Sequence, residues 1–193
     1  KTLVVVLIVA ALVNFGVNGI QYAIQLHLVS CGTNATSIGF ISGGISLMML
    51  VGSLLAGKLS DKVPVGPTVC LAYLFICLCV LPMTLTDSYW IMLVANSFVG
   101  LPFPLINAML LGFIFAKSPT SMQGRITVTL TVPAQVLSMF CSAVAGTLLP
   151  VFGFHGAVLV FLAVLVASAV LVICSRSIRS IPKAAQWEHT MLR

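Results

Sequence analysis

With 60% hydrophobic and 6% charged residues over 193 positions, and a mean hydropathy of +1.20, the chain is far too poor in charge for a soluble domain, where about a quarter of residues are charged. The net charge of +6 does not point to nucleic acid, because that reading requires basic residues gathered on one face of a folded domain. Here they sit at the ends of apolar runs, so the chain is read as an integral membrane protein with the lipid bilayer as its first partner and no nucleic-acid partner.

A bilayer-spanning helix needs about 20 mostly apolar residues. Uncharged runs of that length predict six spans, over 3–29, 36–57, 67–86, 89–116, 125–150 and 155–175, which makes the fold class all-α, a polytopic helical bundle. Lys1 precedes the first span, Lys58 and Lys62 separate the second from the third, and Lys117 and Arg125 separate the fourth from the fifth. Arg176, Arg179, Lys183 and Arg193 follow the sixth. With six crossings all nine basic residues fall on one side, which the positive-inside bias makes cytoplasmic, with both termini. The opening "KTLVVVLIVAALV" has the lone Lys and apolar core of a signal peptide, but no small-residue cleavage site leading into a soluble domain follows it. It is read as the start of the first span, in a chain that is expected to be a piece of something longer. The domain reading is a transmembrane bundle over 1–175 and a basic cytoplasmic tail over 176–193 that anchors the sixth span.

In the first span Asn14, Asn18, Gln21 and Gln25 step by four, three and four, which stacks them on one helical face. Phe15 and Tyr22 lie beside them. An amide left without a partner in hydrocarbon costs a few kcal/mol, so this face looks at protein or water and not at lipid. Two readings stay open: a water-accessible cavity wall, and amides that glue helices together. The second span carries Ser42, Ser46 and Ser53 together with Gly39, Gly43, Gly52 and Gly57, spacings that let helices approach closely. The third, with nothing more polar than Thr68 and Tyr73, is expected to face lipid.

The fourth span repeats the polar stripe with Asn96, Gly100, Phe103 and Asn107, and within it Pro102 and Pro104 each remove a backbone donor. Broken helices at membrane depth line cavities or pack in protein. The fifth places Thr127, Thr131, Gln135, Ser138 and Ser142 along one side and holds Pro133. The sixth has Ser168 as its one strongly polar residue and is expected to face lipid like the third.

Cys70, Cys77, Cys79, Cys141 and Cys174 fall within spans, Cys31 is alone in an outer loop, and there is no C-x-x-C spacing; these are read as packing residues, with no metal and no cofactor. Asn34-Ala35-Thr36 has the glycosylation pattern but lies against the bilayer and is expected to stay unmodified. His27 and His155, near outer ends, are read as interface residues. No Asp, Glu, Lys or Arg lies at the depth of any predicted span, so the proton-carrying carboxylate that marks pumps is missing here.

At "GSLLAGKLSDKV", residues 52–63, the chain resembles the signature loop of the major facilitator superfamily. Gly57, Asp61 and Lys62 match it, while Pro64 stands in place of its second Gly, and Val65 and Gly66 replace its basic pair. "SMQGRITVTLTVPAQ", in which Gln123-Gly124-Arg125 opens the fifth span, is similar to the eleventh helix of bacterial efflux members of the macrolide and siderophore-export branch. The resemblance implies helices seven to twelve of a twelve-helix transporter, built as two inverted three-helix repeats. Spans one and four would line a central cavity, and two and five would form the seam with an N-terminal six-helix half of the same polypeptide. It implies a gating latch at Gly57, Asp61, Lys62 and Arg125. Gly39, Gly43, Gly52, Pro102 and Pro104 would serve packing and kinks. A small-molecule substrate would be held by Asn14, Asn18, Gln21, Tyr22, Gln25, Asn96, Phe103, Asn107 and Gln135. Proton-coupled export of amphipathic molecules across a bacterial plasma membrane follows from the analogy, with uptake of a polar metabolite or a helical channel as alternatives. No catalytic residues are expected; Ser42-Gly43 lacks the Gly two positions earlier that one intramembrane protease family uses.

Overall fold

The computed structural model describes residues 2–60, 62–116, 118–179 and 181. Its long helices are α1 (Thr2–Ser30), α2 (Ala35–Leu59), α3 (Val65–Val80), α4 (Tyr89–Val99), α5 (Phe103–Ala116) and α6 (Thr120–Cys174), and no strand occurs among the described residues. Apolar stretches long enough to cross a bilayer cover Val4–Ser30, Ala35–Leu59, Val65–Thr84, Tyr89–Ala116 and Ser121–Cys174. The chain is a multi-pass membrane helical bundle.

Local sequence ends and starts these helices in recognisable ways. α1 stops at Gly32, whose φ is +71°. Thr33 N–H donates to Leu28 O and Gly32 N–H to Val29 O, the paired bonds that satisfy the last carbonyls of a helix when glycine adopts a left-handed conformation. Asn34 then caps α2, its side chain accepting from Ser37 N–H at 2.8 Å; the residue of the glycosylation pattern is used as a helix cap.

The last stretch corrects the boundary between the fifth and sixth spans. α6 runs as one helix, but its apolar stretch of 54 residues would measure about 80 Å, against a hydrocarbon core of about 30 Å. The turn is at Gly153, with φ 70° and ψ −177°, a backbone region essentially confined to glycine. Phe15 proves the fold-back: Cys141 Sγ approaches its carbonyl at 3.3 Å and Phe161 meets its ring at 5.8 Å between centroids. Positions 141 and 161 would be about 30 Å apart on one straight helix. Two antiparallel arms, over 120–152 and 154–174, therefore both pack on α1, and the chain crosses six times.

The fourth predicted span is broken, as its prolines require. α4 ends in tight turns, with Gly100 N–H donating to Ser97 O and Leu101 N–H to Phe98 O, and α5 restarts at Phe103 beyond the buried Pro102. α2 fits against this break through bare backbone: a side chain at Gly52 would collide with the Leu101 carbonyl and one at Gly100 with the Ile45 carbonyl. α2 also buries Ile41 and Ala56, while another face carrying Phe40, Leu47 and Leu54 is exposed.

The third and sixth spans are not faced by lipid alone. α3 buries Val65, Val69, Tyr73 and Ile76 while exposing Leu71, Leu74 and Leu78, and the second arm of α6 buries Val158, Phe161, Leu165 and Ser168 while exposing Leu159, Val166 and Val170. Both lie at the outside of the bundle, α3 with one wall against α4, α5 and α6, and the second arm of α6 with one wall against α1. Gly16 and Gly19 permit this approach, since side chains there would enter Leu165 and Phe161.

The segment after Cys174 turns back under the bundle. Ile178 and Ile181 are buried, and Gly66 N–H donates to Ile181 O at 3.2 Å. The tail is tied to the foot of α3 by apolar burial and a main-chain bond, a contact that its basic residues did not announce. Lys183 and Arg193 lie outside the described residues.

Candidate functional site

The amide face of α1 opens onto two cavities. The first, about 420 Å³, is an open cavity lined by Val6, Ala10, Val13, Asn14 and Asn18 of α1, by Phe103, Ile106, Asn107, Leu110 and Leu111 of α5, by Leu130, Thr131, Gln135 and Ser138 of α6, and by Tyr73 of α3. The second, about 430 Å³, is lined by Asn14, Val17, Asn18, Gln21, Tyr22 and Gln25 of α1, by Ile45 and Met49 of α2, and by Phe103. Asn14, Asn18 and Phe103 border both.

Of the nine positions expected to line a cavity, eight do so: Asn14, Asn18, Gln21, Tyr22, Gln25, Phe103, Asn107 and Gln135. Asn96 does not. It is 1% exposed, its Nδ2 has no hydrogen-bond partner among the described residues, and it lies in the interior of the bundle. A continuous helix would bring positions 96 and 107 within about 20° of one face; the break at Gly100–Pro102 removes that register and leaves only Asn107 on the cavity.

Tyr73 is a cavity residue that the sequence reading placed against lipid. It is 2% exposed in a helix whose composition reads as lipid-facing. The available signal was the one aromatic hydroxyl in an otherwise apolar run, which is misplaced against hydrocarbon.

The hydrogen bonds give the wall a fixed polarity. Asn14 Nδ2 donates to Ala10 O at 2.8 Å, and Asn18 Nδ2 donates both to Asn14 O at 2.8 Å and to Ser138 Oγ at 3.2 Å. Thr131 Oγ1 gives its proton to Thr127 O at 2.8 Å. The two asparagines thus bond back to their own helix as hydroxyls do, and of the two only Asn18 also reaches another helix among the described residues. Glue and cavity wall are both realised, by different atoms of the same column. No Asp, Glu, Lys, Arg or His lines either cavity, so binding there rests on hydrogen bonds, apolar contact and shape.

Among the described residues, none of those given to gating and close packing lines either cavity. Asp61 is outside the described residues; Lys62 and Arg125 are exposed, and Gln123 Nε2 ties the start of α6 to Phe115 O at 3.3 Å. Among the described residues a side chain added at Gly39, Gly43, Gly57 or Gly124 would meet nothing within 4 Å, and of the expected glycines Gly52 alone makes a close approach there. Gly44 makes another, against Ser97 Oγ.

At the opposite end of the bundle, His27 and His155 leave their role as simple interface residues. Asp87 Oδ1 lies 3.4 Å from His155 Nε2 and 4.0 Å from His27 Nε2, and the His27 ring stacks on Phe154 at 4.4 Å. Among the described residues no group of His, Cys, Asp and Glu has the arrangement of a metal site.

The family model described as Major Facilitator Superfamily matches residues 6–191 of the chain. Comparison with curated proteins gives no match.

Proposed function

The chain belongs to the major facilitator superfamily, whose members are transporters and not enzymes, and from that membership we propose that it is the cavity-forming second half of an alternating-access transporter that exports amphipathic small molecules. The observation that carries this reading is the amide column of α1, which opens onto two cavities faced by α5 and α6 on one side and α2 on the other. A wall of uncharged hydrogen-bonding groups interleaved with Phe103, Tyr22 and aliphatic side chains suits a molecule with both polar and apolar parts.

In this reading the missing wall of the path is an N-terminal six-helix half of the same polypeptide. It docks on the exposed faces of α2 and the first arm of α6, and it supplies the coupling carboxylate that the spans described here lack. The tail after residue 175 and the loop around Asp61 lie on the cytoplasmic side of a bacterial plasma membrane, and Asp61 latches that end. The macrolide and siderophore-export resemblance around Gln123-Gly124-Arg125 supports export over uptake.

The test is retention of a fluorescent cationic dye and of a macrolide in cells expressing the protein, with and without a protonophore. Lower retention that the protonophore reverses is the expected result. Unchanged retention of both would overturn export and return the choice to uptake of a polar metabolite.

A further inference from the structure

Every N–H of the Asn18 amide is used inside the protein, on Asn14 O and Ser138 Oγ, and the Asn14 amide is held by its bond to Ala10 O. Turning either amide over would set its oxygen against a backbone carbonyl oxygen, so the orientation follows from the partners and not from the placement of indistinguishable atoms. The Oδ1 atoms accept no hydrogen bond among the described residues, and both side chains border the two cavities. Thr131, facing them across the first cavity, has given its proton to Thr127 O and likewise offers only lone pairs. Asn107 and Gln135 are exposed amides without a partner among the described residues, and they can turn either end toward a ligand.

We propose that this fixed row of acceptors, Asn14 Oδ1, Asn18 Oδ1 and Thr131 Oγ1, selects the substrate by its hydrogen-bond donors: a neutral or cationic amphipath bearing hydroxyl or amine groups, with carboxylates, sulfates and phosphates rejected. An anion would place its charge against three lone-pair donors with no Lys, Arg or His lining either cavity. An acceptor that a ligand covers and leaves unmatched costs as much as a lost hydrogen bond, so the row discriminates against purely apolar molecules as well. The inference deepens the transport reading and rests on the same cavity.

The experiment is binding to the purified protein in lipid nanodiscs, read as protection of a Gln135→Cys variant from maleimide, with the label at position 135 quantified by mass spectrometry. The probes are ethidium, octyl glucoside below its micellar concentration, and octyl sulfate. Ethidium and octyl glucoside are expected to slow labelling at least about threefold, with octyl sulfate inactive. Asn14→Leu, which keeps the shape and removes the acceptor, abolishes the protection, while Asn14→Asp strengthens it for ethidium. Protection by octyl sulfate equal to that of the other two, absence of protection by all three, or protection that survives Asn14→Leu each overturns the proposal. Selective protection without dye export in cells would overturn the transport reading and leave this selectivity standing.

Discussion

Asn18 and Ser138 are joined by a 3.2 Å hydrogen bond across 120 positions of sequence, and this bond holds the amide column of α1 against the first arm of α6. It also spends the second N–H of Asn18, which is why the column shows the cavity an oxygen at that position. Asn18→Leu removes bond and acceptor together. It is expected to lower the unfolding midpoint modestly, since interhelical bonds in membranes contribute roughly 0.6–2 kcal/mol, and to abolish dye export. Ser138→Ala keeps the acceptor and should retain most of the export. Equal loss in the two variants would make the bond, and not the oxygen, the functional element.

Gly52 and Gly39 belong to one predicted small-residue stripe and have opposite surroundings. A methyl group at Gly52 meets the Leu101 carbonyl at the break of the fourth span, whereas one at Gly39 meets nothing. Overpacking against main chain costs about 1–3 kcal/mol. Gly52→Ala should therefore depress the thermal midpoint of the purified protein clearly more than Gly39→Ala does. Similar shifts in the two would show that α2 does not lie against the Gly100–Pro102 break.

Gly66 carries the returning tail. Its N–H donates to Ile181 O, and a side chain there would run into the backbone of Arg179. Gly66→Ala is expected to lift the segment that buries Ile178 and Ile181 and to speed proteolytic cleavage after the sixth span several-fold. Removal of residues 184–193 should leave transport intact. Transport lost on that truncation with expression unchanged would assign the tail end a role beyond anchoring.

Asp87 is the shared partner of two histidines, one from α1 and one from the second arm of α6. Its side chain is 53% exposed, so the contacts are screened, and pairs of that kind contribute about 0.2–1 kcal/mol. Asp87→Asn is expected to lower the thermal midpoint by no more than about 2–4 °C. A larger loss would mean that the carboxylate holds the end of the bundle together by something besides these two imidazoles.

The membrane class, the six crossings, the amide column and the broken fourth span were all legible in the sequence. Each follows from a local rule: lipid admits only long apolar runs, side chains recur every three or four positions on a helix, and proline removes a backbone donor. Six of the eight cavity-lining residues, the amides Asn14, Asn18, Gln21, Gln25, Asn107 and Gln135, were found that way because an amide in an apolar run has few stable places to point. The tertiary structure alone decided which atoms of those amides face the cavity, because the Ser138 partner of Asn18 lies in another helix. It alone withdrew Asn96, since the angle across a helix break is set by packing against α2 and is invisible to a periodicity count. It placed Tyr73 on the cavity through the packing of α3 against α5 and α6, and it brought Ile178 and Ile181 under the bundle where composition showed only a basic tail. Periodicity says which residues share a face. What that face meets is settled by the packing of helices that are distant in the chain.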